Sequence, residues 1–136
     1  MTGSALNIPA PDPYNSVVRQ YFVSPLHAGD LALPYSVTAS VDVGDGEGNR
    51  LQLNAGISGG KLDELRFRAL GCPHLIAAAE HFCRHYEGQA VSALTNFDKA
   101  QTVRDLDVPV EKSGRILLLE NAIRALSQRI GARTDS

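Results

Sequence analysis

Leu65-Arg66-Phe67-Arg68-Ala69-Leu70-Gly71-Cys72-Pro73-His74-Leu75-Ile76-Ala77 is the stretch from which the fold is read. Its first half alternates, with Leu65 and Phe67 on one face, and residues 62–69 are predicted as a half-buried strand. At Gly71-Cys72 the period changes. Pro73 suits the first position of a helix, and Leu75, Ala79, Phe82 and Tyr86 then recur at helical spacing with Ile76 and Cys83 alongside. A helix is predicted from Cys72-Pro73 to about Tyr86, with Gly88 just past its end.

Upstream, Tyr35, Val37, Ala39, Val41 and Val43 alternate with polar residues and predict a strand. Residues 44–49 hold three glycines and read as a turn, residues 50–57 as a returning strand, and 58–60 as a second turn. Short turns between successive strands imply an antiparallel meander. Before it, Asp12-Pro13 is predicted to cap a helix whose buried face is Tyr14, Val17, Val18, Tyr21 and Phe22, with Ser24-Pro25 as its stop. After the central helix, residues 91–110 are predicted as one or two short helices ending at Pro109. Ser113 is then expected to cap a last helix that turns Ile116, Leu119, Ile123, Leu126 and Ile130 inward and ends at Gly131. The class is α+β: a three-stranded antiparallel sheet with helices packed on one face. Phe67, Leu75, Ala79, Ile123 and Leu126 are the expected shared core. Residues 1–12 are read as a tail, 13–131 as a single domain and 132–136 as a C-terminal tail.

The chain has 136 residues, enough for one real core, and 13 basic against 15 acidic residues give a formal charge of −2. That balance offers no electrostatic attraction to nucleic acid or an anionic membrane. The opening residues lack a basic region and an apolar run, so a cleaved secretory signal is not expected, and the apolar stretches are too short to span a bilayer. Cys72 and Cys83 are the two cysteines. Eleven residues apart on one helix, they would lie about 16 Å from each other, beyond disulfide reach. Reduced thiols and a cytoplasmic location are expected.

Cys72 is the most informative side chain. A thiolate at a helix N-terminus is favoured by the backbone dipoles, and Gly71 lets a ligand approach, yet a small residue filling a strand-to-helix corner would look the same. His74, His81 and His85 share one helix flank. His81 and His85, at i and i+4, have the spacing of a metal clip but no third ligand at a fixed spacing, so a polar, solvent-facing stripe is expected. The 44–49 turn lacks the lysine of a phosphate-binding loop; its carboxylates Asp45 and Glu47 are hard donors in principle. No catalytic motif is present, and the chain is not expected to be an enzyme.

Tyr14-Asn15-Ser16-Val17-Val18, Tyr21-Phe22, Pro25 and His27-Ala28-Gly29, with the Leu65–Cys72 block, Ile76-Ala77 and Glu120-Asn121-Ala122-Ile123, resemble the U-type iron–sulfur cluster scaffolds (IscU and the NifU amino-terminal domain). Val108, Pro109, Val110, Glu111 and Lys112 resemble the segment that a specialised chaperone reads in those scaffolds. The resemblance implies a [2Fe–2S] cargo on three cysteines and a nearby Asp or His. Only the middle cysteine has a counterpart, Cys72. The first position falls at Asp45 or Glu47, and the third near Arg115, whose charge would repel iron but pair with an anionic persulfide. Cys72, Asp45, Glu47 and His74 are therefore the candidate metal ligands. The expected role is a divergent scaffold or accessory of iron–sulfur cluster assembly, a monomer or weak dimer that holds iron or sulfur intermediates or meets a cysteine desulfurase or chaperone. Its cargo would be iron, an iron–sulfur cluster or zinc, weakly held. The alternatives are a metal-free interaction protein and a persulfide relay through Cys72.

Overall fold

In the computed structural model, which describes residues 14–134, the alternating segments form β1 (Val37–Gly44), β2 (Arg50–Ser58) and β3 (Lys61–Leu70). They pair antiparallel in the order β1-β2-β3. The register sets Ala39 opposite Ala55 and Ala55 opposite Leu65, then Val41 opposite Leu53 and Leu53 opposite Phe67. These six side chains therefore share one face, and all are buried. The other face is polar where Ser40 donates to Asn54 and Asn54 donates to Gln52.

Helices α1 (Ser16–Val23), α2 (Pro73–Tyr86), α3 (Lys99–Leu106) and α4 (Ser113–Thr134) complete the chain. Helix α4 packs on β1 and β2, and α2 packs on β3, α4 and α1. Phe67, Leu75, Ala79, Ile123 and Leu126 are all buried in the layer between sheet and helices. The α+β reading holds. The outer edge of β3 is covered rather than open: the Phe67 amide donates to the His27 carbonyl at 2.9 Å, and the Gly29 amide donates to the Phe67 carbonyl at 2.8 Å. Carboxylates anchor that covering loop. Glu80, fully buried, accepts from the His27 amide, the His27 ring and Arg84, while Glu64 accepts from the Ala32 and Leu33 amides.

Several boundaries differ from expectation. Asp12-Pro13 and the tail at residues 1–12 lie outside the described residues. Asn15 caps α1 instead, its Oδ1 accepting from the Val18 amide at 2.8 Å. On that helix only Val18 is fully buried, and Val17 is exposed because α1 touches the body along a narrow stripe. Strand β1 starts at Val37, since Tyr35 turns out of the sheet to lay its ring over Gly56 and donate to Asp63 at 2.7 Å. Residues 91–110 hold a 3-10 turn, Val91–Asn96, and α3, which stops where Asp107 enters the left-handed region. Ser113 is not an N-cap. A 3-10 turn, Val110–Lys112, runs straight into α4, and the Ser113 hydroxyl donates back to the Val110 carbonyl at 2.8 Å. Nor does Gly131 end α4, which continues to Thr134.

Candidate functional site

Where β3 ends, Gly71 turns the chain with φ +120°, and Cys72 becomes the N-cap of α2 with extended backbone. Both the torsion and the space require glycine here, because a Cβ would run into Asn49 Oδ1 and the Gly48 carbonyl. Asn49, 5% exposed, clasps the corner. Its Oδ1 accepts from the Cys72 amide at 2.9 Å, and its Nδ2 donates to Asp45 Oδ2 at 2.7 Å. Asp45 Oδ1 in turn accepts from the Glu47 and Asn49 amides at 2.7 and 3.2 Å. The 44–49 turn is thereby fastened onto the start of α2. Asn49 escaped the sequence reading, since an asparagine at a turn's end looks like any solvated turn residue.

Cys72 Sγ is half-buried and lies 3.9 Å from His74 Nδ1. His74 is 3% exposed, packed against the Tyr14 ring at 5.0 Å, and so does not face solvent as expected. Burial lowers its pKa, and Lys112 and Arg115 add to the effect while Glu111 opposes it. The Asp45 carboxyl is also held below its usual range, by the Glu47 amide first, then by the Asn49 side chain, with Arg115 contributing. Arg115 therefore stands near both Asp45 and His74, and its buried Nε has no hydrogen-bond partner among the described residues. Glu47 gives the turn its backbone amide and leaves its side chain exposed.

This donor set does not fit a [2Fe–2S] cluster. Such clusters take four ligands, mostly thiolates, whereas the corner presents one thiol, one imidazole and a carboxylate already engaged on both oxygens, with the Arg115 charge acting on the imidazole and the carboxylate. Cys83 cannot contribute: it is fully buried, and burial, then Glu80 and Glu87, push its thiol pKa well up. In the neighbouring segment Val108 is in the core, Pro109 and Lys112 are half-buried, and Val110 and Glu111 are exposed, Val110 at 87%.

Of the other two histidines, His85 is exposed as expected, and His81 departs from the solvent stripe. His81 is 8% exposed, and its Nε2 donates to Asp105 Oδ2 of α3 at 3.1 Å. Burial and the adjacent His85 lower its pKa against the pull of Asp105. Asp105 had no periodic signal linking it to these histidines, because the contact spans two helices.

The profile of the NifU-like N-terminal domain family matches residues 13–133. The chain is 27% identical over 129 residues to the bifunctional protein NifU/MnmA of Rubrobacter xylanophilus, covering 93% of this chain and 26% of that longer protein. It is 22% identical over 128 residues to the mitochondrial iron sulfur cluster assembly protein 2 of Saccharomyces cerevisiae, covering 92% of this chain and 82% of the yeast protein. Its fold superposes on a nitrogen-fixing NifU-like protein (N-terminal) from Brucella abortus with a TM-score of 0.65 at 14% identity, covering 88% and 94% of the two chains. No helix among the described residues is long and apolar enough to cross a membrane. Spanning nearly the whole fold, the match shows that the chain belongs to the NifU-like N-terminal domain family.

Proposed function

We propose that the chain is a divergent scaffold or accessory protein of iron–sulfur cluster assembly that carries an anionic sulfur intermediate on Cys72 and turns over no substrate of its own. The observation that carries this reading is the Cys72 corner. One half-buried thiol at a helix N-terminus, its amide clasped by Asn49, shares its surroundings with the Arg115 guanidinium and lacks a second accessible thiol among the described residues. Helix dipoles and guanidinium favour a negative sulfur species there. Loading is a sulfur transfer: the Cys72 thiolate attacks the outer sulfur of a donor protein's persulfide, a new S–S bond forms, the donor's S–S bond breaks, and the donor leaves as its thiolate. Electrons balance without an added oxidant.

A cysteine desulfurase is the proposed donor, and the exposed Val110-Glu111 part of the 108–112 segment is the proposed contact for an assembly chaperone. Iron or zinc would bind the corner only weakly through Cys72, His74 and Asp45, with Glu47 nearby. Two free thiols fit the reducing cytoplasm as its place of work. Incubation with a cysteine desulfurase and cysteine, followed by intact-mass spectrometry, tests the reading. A species one sulfur atom heavier is expected, absent in Cys72→Ala and reduced in Arg115→Gln. No adduct on the wild-type chain, or an adduct that persists in Cys72→Ala, overturns it.

A further inference from the structure

The side of α2 away from Cys72 carries a second constellation. His81 and His85 stand one turn apart with ring centroids 4.1 Å from each other, and α3 crosses so that Asp105 meets His81. One ligand atom from each of the three lies within 4.8 Å of the other two. We propose that His81, His85 and Asp105 form a binding site for a single divalent transition ion of the Zn(II) or Fe(II) type, independent of the cysteine corner.

Donor chemistry selects the ion. Two imidazoles and one carboxylate suit borderline metals and are a poor match for Mg(II) or Ca(II), which take oxygen ligands. The supporting contacts are those that metal-bound side chains make. His85 Nδ1 donates to the His81 carbonyl at 2.9 Å, which fixes the tautomer and leaves the Nε2 lone pair free. Asp105 Oδ1 accepts from Gln101 Nε2 at 2.6 Å, which holds the carboxylate plane.

The spacing is near what an ion requires. Four-coordinate bonds of about 2.1 Å separate neighbouring donors by about 3.4 Å, so the trio must close by roughly an ångström. His85 and Asp105 are exposed and can do so by side-chain rotation. On binding through His81 Nε2, the proton now directed at Asp105 moves to Nδ1 of the same ring, which stays neutral. All three residues line a cleft of about 210 Å³ that also holds Gln89 and Asn96. The cleft leaves coordination positions open to water or an outside ligand. Cys72 cannot share this ion, because nine residues of helix place it about 14 Å away along the axis.

The test uses the tag-free full chain carrying Cys72→Ala, so that the corner contributes nothing and the two sites can fail separately. Titration with Co(II) is expected to give one equivalent with tetrahedral or five-coordinate ligand-field absorption. His85→Ala and Asp105→Asn, added singly, should each weaken it at least about tenfold. Both residues are exposed, and circular dichroism checks that the variants stay folded. A second readout needs no change in the site: on Zn(II) addition the His81 and His85 imidazole NMR signals must shift together. Absence of Co(II) binding, affinity unchanged by both substitutions, or imidazole signals that stay put overturns the site and leaves a helix-to-helix hydrogen bond.

Discussion

Asn49 fastens the 44–49 turn to the glycine corner where α2 starts, its one amide holding both the Asp45 carboxylate and the backbone amide of the N-cap, Cys72. Truncating this buried side chain is costly because the Cys72 amide, in a half-buried corner, loses its acceptor, while the exposed Asp45 carboxylate can turn to water. Asn49→Ala should destabilise the fold by about 1–3 kcal/mol in urea unfolding. Asn49→Asp is the sharper probe. It keeps the acceptor for the Cys72 amide but loses the donor to Asp45 and sets two carboxylates face to face, so it should cost at least as much at neutral pH and less in acid. A variant as stable as wild type would mean that the clasp is not holding the corner. The two thiols should separate just as clearly. Cys72 is half-buried at a helix start, whereas Cys83 is fully buried with its pKa pushed up by burial, Glu80 and Glu87. Iodoacetamide at neutral pH should modify Cys72 first and reach Cys83 only on unfolding. Equal rates in the native protein would contradict that placement.

Helix α2 shows how far an element can be read from its own residues. Leu75, Ala79 and Phe82 announced a buried stripe, and Gly71-Cys72-Pro73 announced the start, since both signals are local. The histidine flank was misread for a physical reason. A helix in a three-stranded protein can be covered from more than one side, and the cover over His74 and His81 comes from Tyr14, ahead of α1, and from Asp105 on α3, which no periodicity in α2 encodes. The cover has a measurable consequence. Both histidines have folded pKa values below the ordinary 6.5, mainly through burial. Their neutral forms belong to the folded state, so the unfolded chain binds more protons as pH falls. The stability they supply is complete above pH 6.5 and is lost as pH drops through the folded values, with a slope of at most about 1.4 kcal/mol per pH unit for each group. Melting temperature should therefore decline between about pH 7.5 and 5.5, and His74→Gln should flatten part of that decline. Asp45 and Glu87, whose carboxyl pKa values are also lowered, act in the same direction but only further down, in the carboxylate range. A flat profile above that range would show that the histidines titrate as freely in the folded chain as in the unfolded one.

At the scale of the whole molecule the meander was legible because alternation and glycine turns are both local. The grouping of Asp45, Cys72, His74 and Arg115 came only from the family resemblance and not from local pattern, since it depends on how a hairpin turn, a helix start and the beginning of α4 meet. The fold brings these positions near one another while their chemistry departs from cluster binding, and restoring the chemistry tests which of the two governs. Wild-type protein reconstituted with iron and sulfide without oxygen should retain only a trace of [2Fe–2S] absorption through gel filtration. One thiol and a guanidinium cannot replace thiolate ligands. Asp45→Cys with Arg115→Cys removes the cation and adds two thiols around Cys72, with His74 Nδ1, 3.9 Å from Cys72 Sγ, available as a fourth donor. That variant should retain close to one cluster per chain, although it gives up the Asp45 contacts that fasten the turn. Glu47→Cys with Arg115→Cys should do less, because the Glu47 side chain is exposed while its backbone remains in the turn. A stable cluster on the wild-type chain would refute the view that its corner prefers an anion. Failure of both double variants, with the fold intact by circular dichroism, would mean that the turn and α4 do not close on Cys72 tightly enough for three thiolates to share one cluster.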